Sequence, residues 1–217
     1  MTQVRQQRSY NVAYYQRHRA QEIARVRSRQ EATRDLLRDI RRVACSDCGR
    51  NFAPHQMDFD HRDPLLKAFG LTTSRAMLVS RNDLLAEVAK CDVVCANCHR
   101  LRTWRGHREG RVGSSGSSKY LDRKRAGWRA HARLLDELRD GPCADCGGRF
   151  PPCAMDFDHR DSATKTKGVT RLVGRAGASR IIAEAAKCDI VCANCHRART
   201  YDRRMADRLP SGRSSVG

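Results

Sequence analysis

Aromatic side chains are scarce in this chain: Phe, Trp and Tyr make up 12 of 217 residues. So few leave only a thin core for any one domain. Long apolar runs are missing too, and nothing approaches the ~18 consecutive apolar residues of a membrane span. The opening MTQVRQQRSYNVAYY has no apolar signal core, so a cytoplasmic, reducing setting is expected. Acidic residues are in short supply, 24 Asp+Glu against 43 Lys+Arg, a net charge of +19. Lysine is rare as well, 7 against 36 Arg. Planar, forked arginine donors suit phosphate, so nucleic acid is the first partner to consider.

What is abundant is cysteine, 11 in all. In a reducing compartment clustered cysteines point to metal rather than to disulfides. Their placement follows a repeat. Sliding the sequence by 98 aligns Cys45, Cys48 and the run Met57 to Asp63 with Cys143, Cys146 and Met155 to Asp161. A one-residue deletion shifts the offset to 97, where Glu87, Lys90 and CDVVCANCHR (91–100) meet Glu184, Lys187 and CDIVCANCHR (188–197). Upstream, Leu36, Leu37 and Ile40 answer to Leu134, Leu135 and Leu138, the i, i+1, i+4 spacing of a helix packing face.

The expected organisation is a basic helical arm (1–42), a first domain (43–109), a Gly/Ser linker (110–118), a second domain with a leading helix (119–205) and a flexible tail (206–217). The arm carries 11 Arg and 4 acidic residues, with no Gly or Pro. The linker GRVGSSGSS would span roughly 15–18 Å. Each repeat reads as helix, Cys knuckle, extended MDFDHRD, variable loop, short helix, second knuckle and basic helix. Asn82 and Ser179 are expected to cap the short helices.

Cys45-x-x-Cys48 with Cys95-x-x-Cys98, and Cys143-x-x-Cys146 with Cys192-x-x-Cys195, supply two sets of four thiolates, the closed tetrahedral arrangement of structural zinc. Two structural Zn ions are expected, stapling domains too thin in core to hold alone. Cys91 and Cys188 recur outside the quartets and read as small buried residues. With the zinc satisfied, Asp60-His61 and His99, and likewise Asp158-His159 and His196, are left for another task. Asp60/His99 and Asp158/His196 would be hard ligands for a catalytic divalent ion. His61 and His159, projecting to the other side of an extended chain, would act as bases.

MDFDHRD, KCDVVCANCHR and KCDIVCANCHR resemble the HNH endonucleases, the ββα-metal nucleases, and specifically their zinc-stapled branch among small bacterial and bacteriophage proteins. The resemblance covers roughly 43–104 and 141–201. It implies an α+β fold of two tandem zinc-stapled ββα-metal domains, each preceded by a helix. It also implies water activation by His61 and His159, Mg²⁺ or Mn²⁺ on Asp60/His99 and Asp158/His196, and cleavage of DNA phosphodiesters. The family asparagine falls where this chain has Lys90 and Lys187. Asn97 and Asn194 are the candidates for its role, whether they brace the active-site loop, ligate metal or cap the knuckle. Arg100, Arg102, Arg197 and Arg199 follow the metal-binding histidines, and Arg62 and Arg160 follow the bases; all six are expected to meet DNA phosphates.

The reading is a DNA endonuclease in a bacterial cytoplasm, with a phage origin possible, acting on duplex DNA as a monomeric pseudo-dimer with one site per strand. The alternatives are a non-catalytic zinc module that binds DNA, or a nuclease subunit of a larger phage machine.

Overall fold

The computed structural model describes residues 2–108 and 119–208. The expected linker, 110–118, and most of the expected tail lie outside the described residues. Helix α1 (Thr2–Ile40) is followed by strand β1 (Met57–His61), α2 (Arg81–Val88), β2 (Cys91–Cys95) and α3 (Ala96–Arg108). The second repeat runs α4 (Lys119–Leu138), β3 (Met155–His159), α5 (Ala178–Ala185), β4 (Cys188–Cys192) and α6 (Ala193–Ala206). β1 pairs with β2 and β3 with β4, giving two two-stranded sheets. The architecture is α+β, with two four-cysteine groups able to hold metal. Among the described residues no helix is long and apolar enough to cross a membrane.

The chain forms two compact units that do not follow the repeat boundaries: Met1–Val43 with Phe59–Val93, and Ala44–Asp58 with Val94–Gly217. The first unit is built on α1. Leu37 meets Leu71, Ala76, Leu84 and Cys91 in its buried cluster, with Leu36 and Phe59 packed against them. Arg41 lies over the Phe59 ring at 4.6 Å and completes that wall with a cation–π contact.

In the second unit Leu135 of α4 joins Val169, Leu172, Val173, Ile181, Ala185 and Cys188, with Leu134, Leu138 and Phe157 alongside. Leucines at the anticipated spacing thus enter both cores. Ile181 is fully enclosed at 0% exposure, a burial that stabilises by about 1.5–3 kcal/mol. Cys188 at 7% and Cys91 at 9% exposure are core residues in the same sense. Burial and the charge of Glu87 or Glu184 push both thiols up to about 11, so they stay neutral.

The short helices begin two residues earlier than the sequence suggests. Ser80, not Asn82, caps α2: its hydroxyl accepts from Asp83 N–H and donates to the Asp83 carboxylate at 2.7 Å. Gly177, not Ser179, precedes α5 and contributes no side-chain cap. The reciprocal Ser80–Asp83 pair offers α2 a better first turn than Asn82 would.

Candidate metal and catalytic centres

Each first knuckle turns back on a glycine in the left-handed region, Gly49 at φ 70° and Gly147 at φ 68°, where a side chain would be strained. The turn is closed by Gly49 N–H to Cys45 O and Gly147 N–H to Cys143 O, both 2.9 Å. The second knuckle straddles a strand end and a helix start. Cys95 ends β2 and Cys98 sits in the first turn of α3; Cys192 and Cys195 stand likewise on β4 and α6.

In each quartet the four sulfurs lie within 4.8 Å of one another. A tetrahedral ion with bonds of ~2.3 Å has edges of about 3.8 Å, within that limit. Backbone N–H groups point at one sulfur of each set: Cys95 N–H to Cys45 Sγ and Cys192 N–H to Cys143 Sγ, both 3.2 Å. Although burial opposes ionisation, the backbone N–H groups of Cys48, Cys95 and Asp47 hold Cys45 down to about 7, and those of Cys146, Cys192 and Asp145 do the same for Cys143. Burial and the neighbouring sulfurs push Cys98 and Cys195 upward. Four crowded thiols, one poised to ionise and others resisting, are the donor set a divalent cation satisfies.

The β3–β4 register fixes the remaining side chains. Met155 pairs with Cys192, Phe157 with Ile190 and His159 with Cys188, so Asp156 and Asp158 share the opposite face of β3. On that face the His196 ring is pinned: Nδ1 lies 2.8 Å from Asp156 Oδ2, and Nε2 lies 3.7 Å from Asp158 Oδ1. The first repeat repeats the anchor, with His99 Nδ1 2.8 Å from Asp58 Oδ2. Burial alone would raise Asp58 and Asp156, but the histidine and an arginine bonded to each hold both at about 2. A carboxylate on Nδ1 fixes the proton there and leaves Nε2 as the ligand-bearing nitrogen, the arrangement around metal-bound histidines. The Asp158 carboxylate that Nε2 faces is also held by Arg199, at 3.1 Å, and by Arg203.

His159 and His61 are placed differently. His159 Nε2 meets Glu184 Oε1 at 2.9 Å, and His61 Nε2 meets Glu87 Oε1 at 2.8 Å. Each glutamate is buried and also takes Lys187 or Lys90, at 2.7 and 2.6 Å. Each braces the loop after its histidine: Glu184 accepts from Thr166 and Lys167 N–H, Glu87 from Ala68 and Phe69 N–H. Burial opposes its charge, but these donors hold Glu87 at about 2; Lys187 foremost draws Glu184 down too. Sequence reasoning missed Glu87, Glu184, Asp58 and Asp156 as site residues, although all four recur in register.

Asn97 and Asn194 are buried, at 3% exposure each, and they bond to one another's segments. Asn194 Oδ1 accepts from Asn97 N–H at 3.2 Å, and Asn97 Oδ1 accepts from Asn194 N–H at 3.1 Å. Their Nδ2 groups are buried without a bond of ordinary geometry. Burial pushes the Cys95 thiol up, and the Asn194 amide pulls the other way.

The six arginines expected at phosphate all engage protein acceptors. Arg62 donates to Cys91 O at 2.9 Å and pairs with Asp92; Arg160 donates to Cys188 O at 2.8 Å and pairs with Asp189. Arg102 pairs with Asp47, and Arg199 with Asp145, Asp158 and Asp189. Arg100 and Arg197 reach carboxylates of the other repeat, Asp156 and Asp58, each at 2.7 Å. Arg203 forks onto Asp158.

No protein-family model, curated protein or solved structure matches this chain.

Proposed function

We propose that the protein is a metal-dependent DNA endonuclease with two catalytic centres in one chain. The observation that carries this reading is a pair of differently tethered histidines around one short strand. His196 is held on Nδ1 by Asp156 with Nε2 turned to Asp158, and His159 is held on Nε2 by Glu184. A zinc staple alone needs neither tether.

In this reading Asp158 and His196 hold a divalent ion, Mg²⁺ or Mn²⁺, which when bound supplies positive charge at the phosphate and the leaving oxygen. His159 takes a proton from water through Nδ1, because Glu184 keeps Nε2 and steadies the imidazolium that forms. Glu184 keeps that ring in one orientation and ties the loop beside it. By repeat register Asp60, His99 and His61 have the same assignments, with Glu87 as the tether. The Cys quartets serve as structural zinc sites that fix the strand ends carrying these groups. Asn97 and Asn194 join the two knuckle segments and stand outside the chemistry. Duplex DNA is the proposed substrate, one site for each strand, and the net charge of +19 supplies attraction to its backbone.

The test incubates zinc-loaded full-length protein with supercoiled plasmid and Mg²⁺ or Mn²⁺, with a chelated control. Metal-dependent nicking and linearisation are expected. Plasmid bound and shifted in a gel, but uncut with every metal, would instead establish a DNA-binding zinc module.

A further inference from the structure

The sequence assigns Arg100 and Arg197 to DNA phosphate, but the structure turns both guanidinium groups onto protein. Arg197 of the second repeat bonds Asp58 Oδ2, the same oxygen that anchors His99 Nδ1. Arg100 of the first repeat bonds Asp156 Oδ1, while Asp156 Oδ2 anchors His196 Nδ1. Both aspartates are enclosed, with side chains 15% and 18% exposed. A half-buried carboxylate with a single neutral partner has a weak hold on its charge and its rotamer. A second, charge-assisted bond secures both. The reciprocity matters: each arginine serves the histidine of the repeat to which it does not belong.

We propose that Arg197 and Arg100 are positioning residues acting across the repeats, each holding the aspartate that presents the other repeat's metal-facing histidine. The chains of contact run Arg197 to Asp58 to His99, and Arg100 to Asp156 to His196. Each centre thus draws a positioning residue from the other repeat, so the pairing of the two knuckles supports metal binding at both. This inference rests on the metal role proposed for His99 and His196.

The alternative is an interface ion pair with no bearing on the histidines, and the crossed wiring separates the two. Full-length zinc-loaded protein labelled with ¹⁵N histidine would be compared as wild type, Arg197→Gln and Arg100→Gln, using Mn²⁺ alone as the probe. Arg197→Gln is expected to shift or broaden the Nδ1–H resonance of His99 and leave that of His196 in place; Arg100→Gln should do the reverse. The Mn²⁺ concentration that broadens the affected ring should rise about 10-fold, the lower end for partners that orient metal ligands. Arg→Lys keeps a charged donor and should recover part of the loss. It also serves as the variant to read where Gln disturbs folding.

Disturbance of both histidines equally, of the arginine's own repeat, or of neither would overturn the inference. Nicking in the His159→Ala and His61→Ala backgrounds then gives an independent reading. Arg197→Gln should raise the Mn²⁺ requirement only where the first centre is the one left active. If no variant, wild type included, cuts DNA while the crossed NMR pattern appears, the nuclease reading fails and the cross-repeat positioning stands.

Discussion

Where the second repeat carries Arg203, the first carries Gly106. Almost everything else around the two centres is matched. His61 and His159 meet their glutamates at 2.8 and 2.9 Å, His99 and His196 meet their aspartates at 2.8 Å, and Lys90 and Lys187 sit on the same glutamates. Arg203, by contrast, forks onto Asp158, the proposed metal ligand, and together with Arg199 offsets its burial and draws its pKa down. A guanidinium therefore stands where an ion would seek charge in the second repeat. Gly106 has no side chain to do so in the first. A second centre that must displace this guanidinium, which Gly106 cannot supply, before taking metal is the inequality to test.

The strongest challenge to the comparison is removal of a staple. Cys45→Ser and Cys143→Ser should each release one zinc equivalent in a chromophoric chelator assay. Each should also lower the melting temperature by ~10 °C or more, since structural zinc supplies folding energy directly. Release of both ions from either variant would mean that the quartets stand or fall as one.

Next comes the base. His61→Ala and His159→Ala should each lose about 10²- to 10⁴-fold at one strand, so plasmid accumulates as open circles, and the double variant should be inert. Undiminished linear product from either single variant would sink the one-strand-per-centre scheme. Glu87→Gln and Glu184→Gln keep the shape but remove the charge, and a loss of about 10- to 100-fold in cleavage rate is expected, with little change in the Mn²⁺ requirement.

Arg203→Gly converts the second centre to the first centre's composition at this position. In the His61→Ala background it should lower the Mn²⁺ concentration for half-maximal nicking about 2- to 5-fold, the worth of a partly exposed ion pair. No change would dissolve the proposed inequality.

The smallest effect is in acid. Asp58 and Asp156 are held at about 2, below the ordinary carboxylate value of 3.8. A depressed carboxylate contributes stability that is whole above its unfolded value and is lost as pH falls through the folded one. Their contribution should therefore be complete above about pH 4 and fade toward pH 2. Carboxyl ¹³C titration that found both midpoints near 4 would remove the supposed strength of the His–Asp–Arg contacts.

The features legible in the sequence are those a repeat writes twice at short range. Each C-x-x-C knuckle, the Asp-His pair at a strand end and the histidine beside the second knuckle is written within a few residues. The structure gathers the cysteines as their spacing implied. Glu87 and Glu184 were equally visible as recurring letters, but a glutamate on a short helix is ordinary until the helix packs against a particular histidine. Asp58 and Asp156 were hidden by their neighbours, because a strand's alternation does not say which element covers each face. The Asn97–Asn194 and arginine–aspartate contacts had no local signal at all. They join segments 56 to 139 residues apart and depend on how two copies of one motif meet. The start of α2 shifted because Ser80 bonds reciprocally with Asp83, which a single-residue capping preference overlooks.

Asn97 and Asn194 each bond the other's backbone, and a contact between equivalent residues is what a two-fold axis produces. A lone ancestral repeat bearing this face could have met a second copy of itself through the same bonds. Once both copies share one polypeptide, that symmetry no longer binds their sequences together. A substitution in a homodimer is imposed on both halves, whereas here Arg203 and Gly106, or His55 and Cys153, could arise in one half alone. The reciprocal asparagine contact thus joins two halves that are free to diverge one residue at a time.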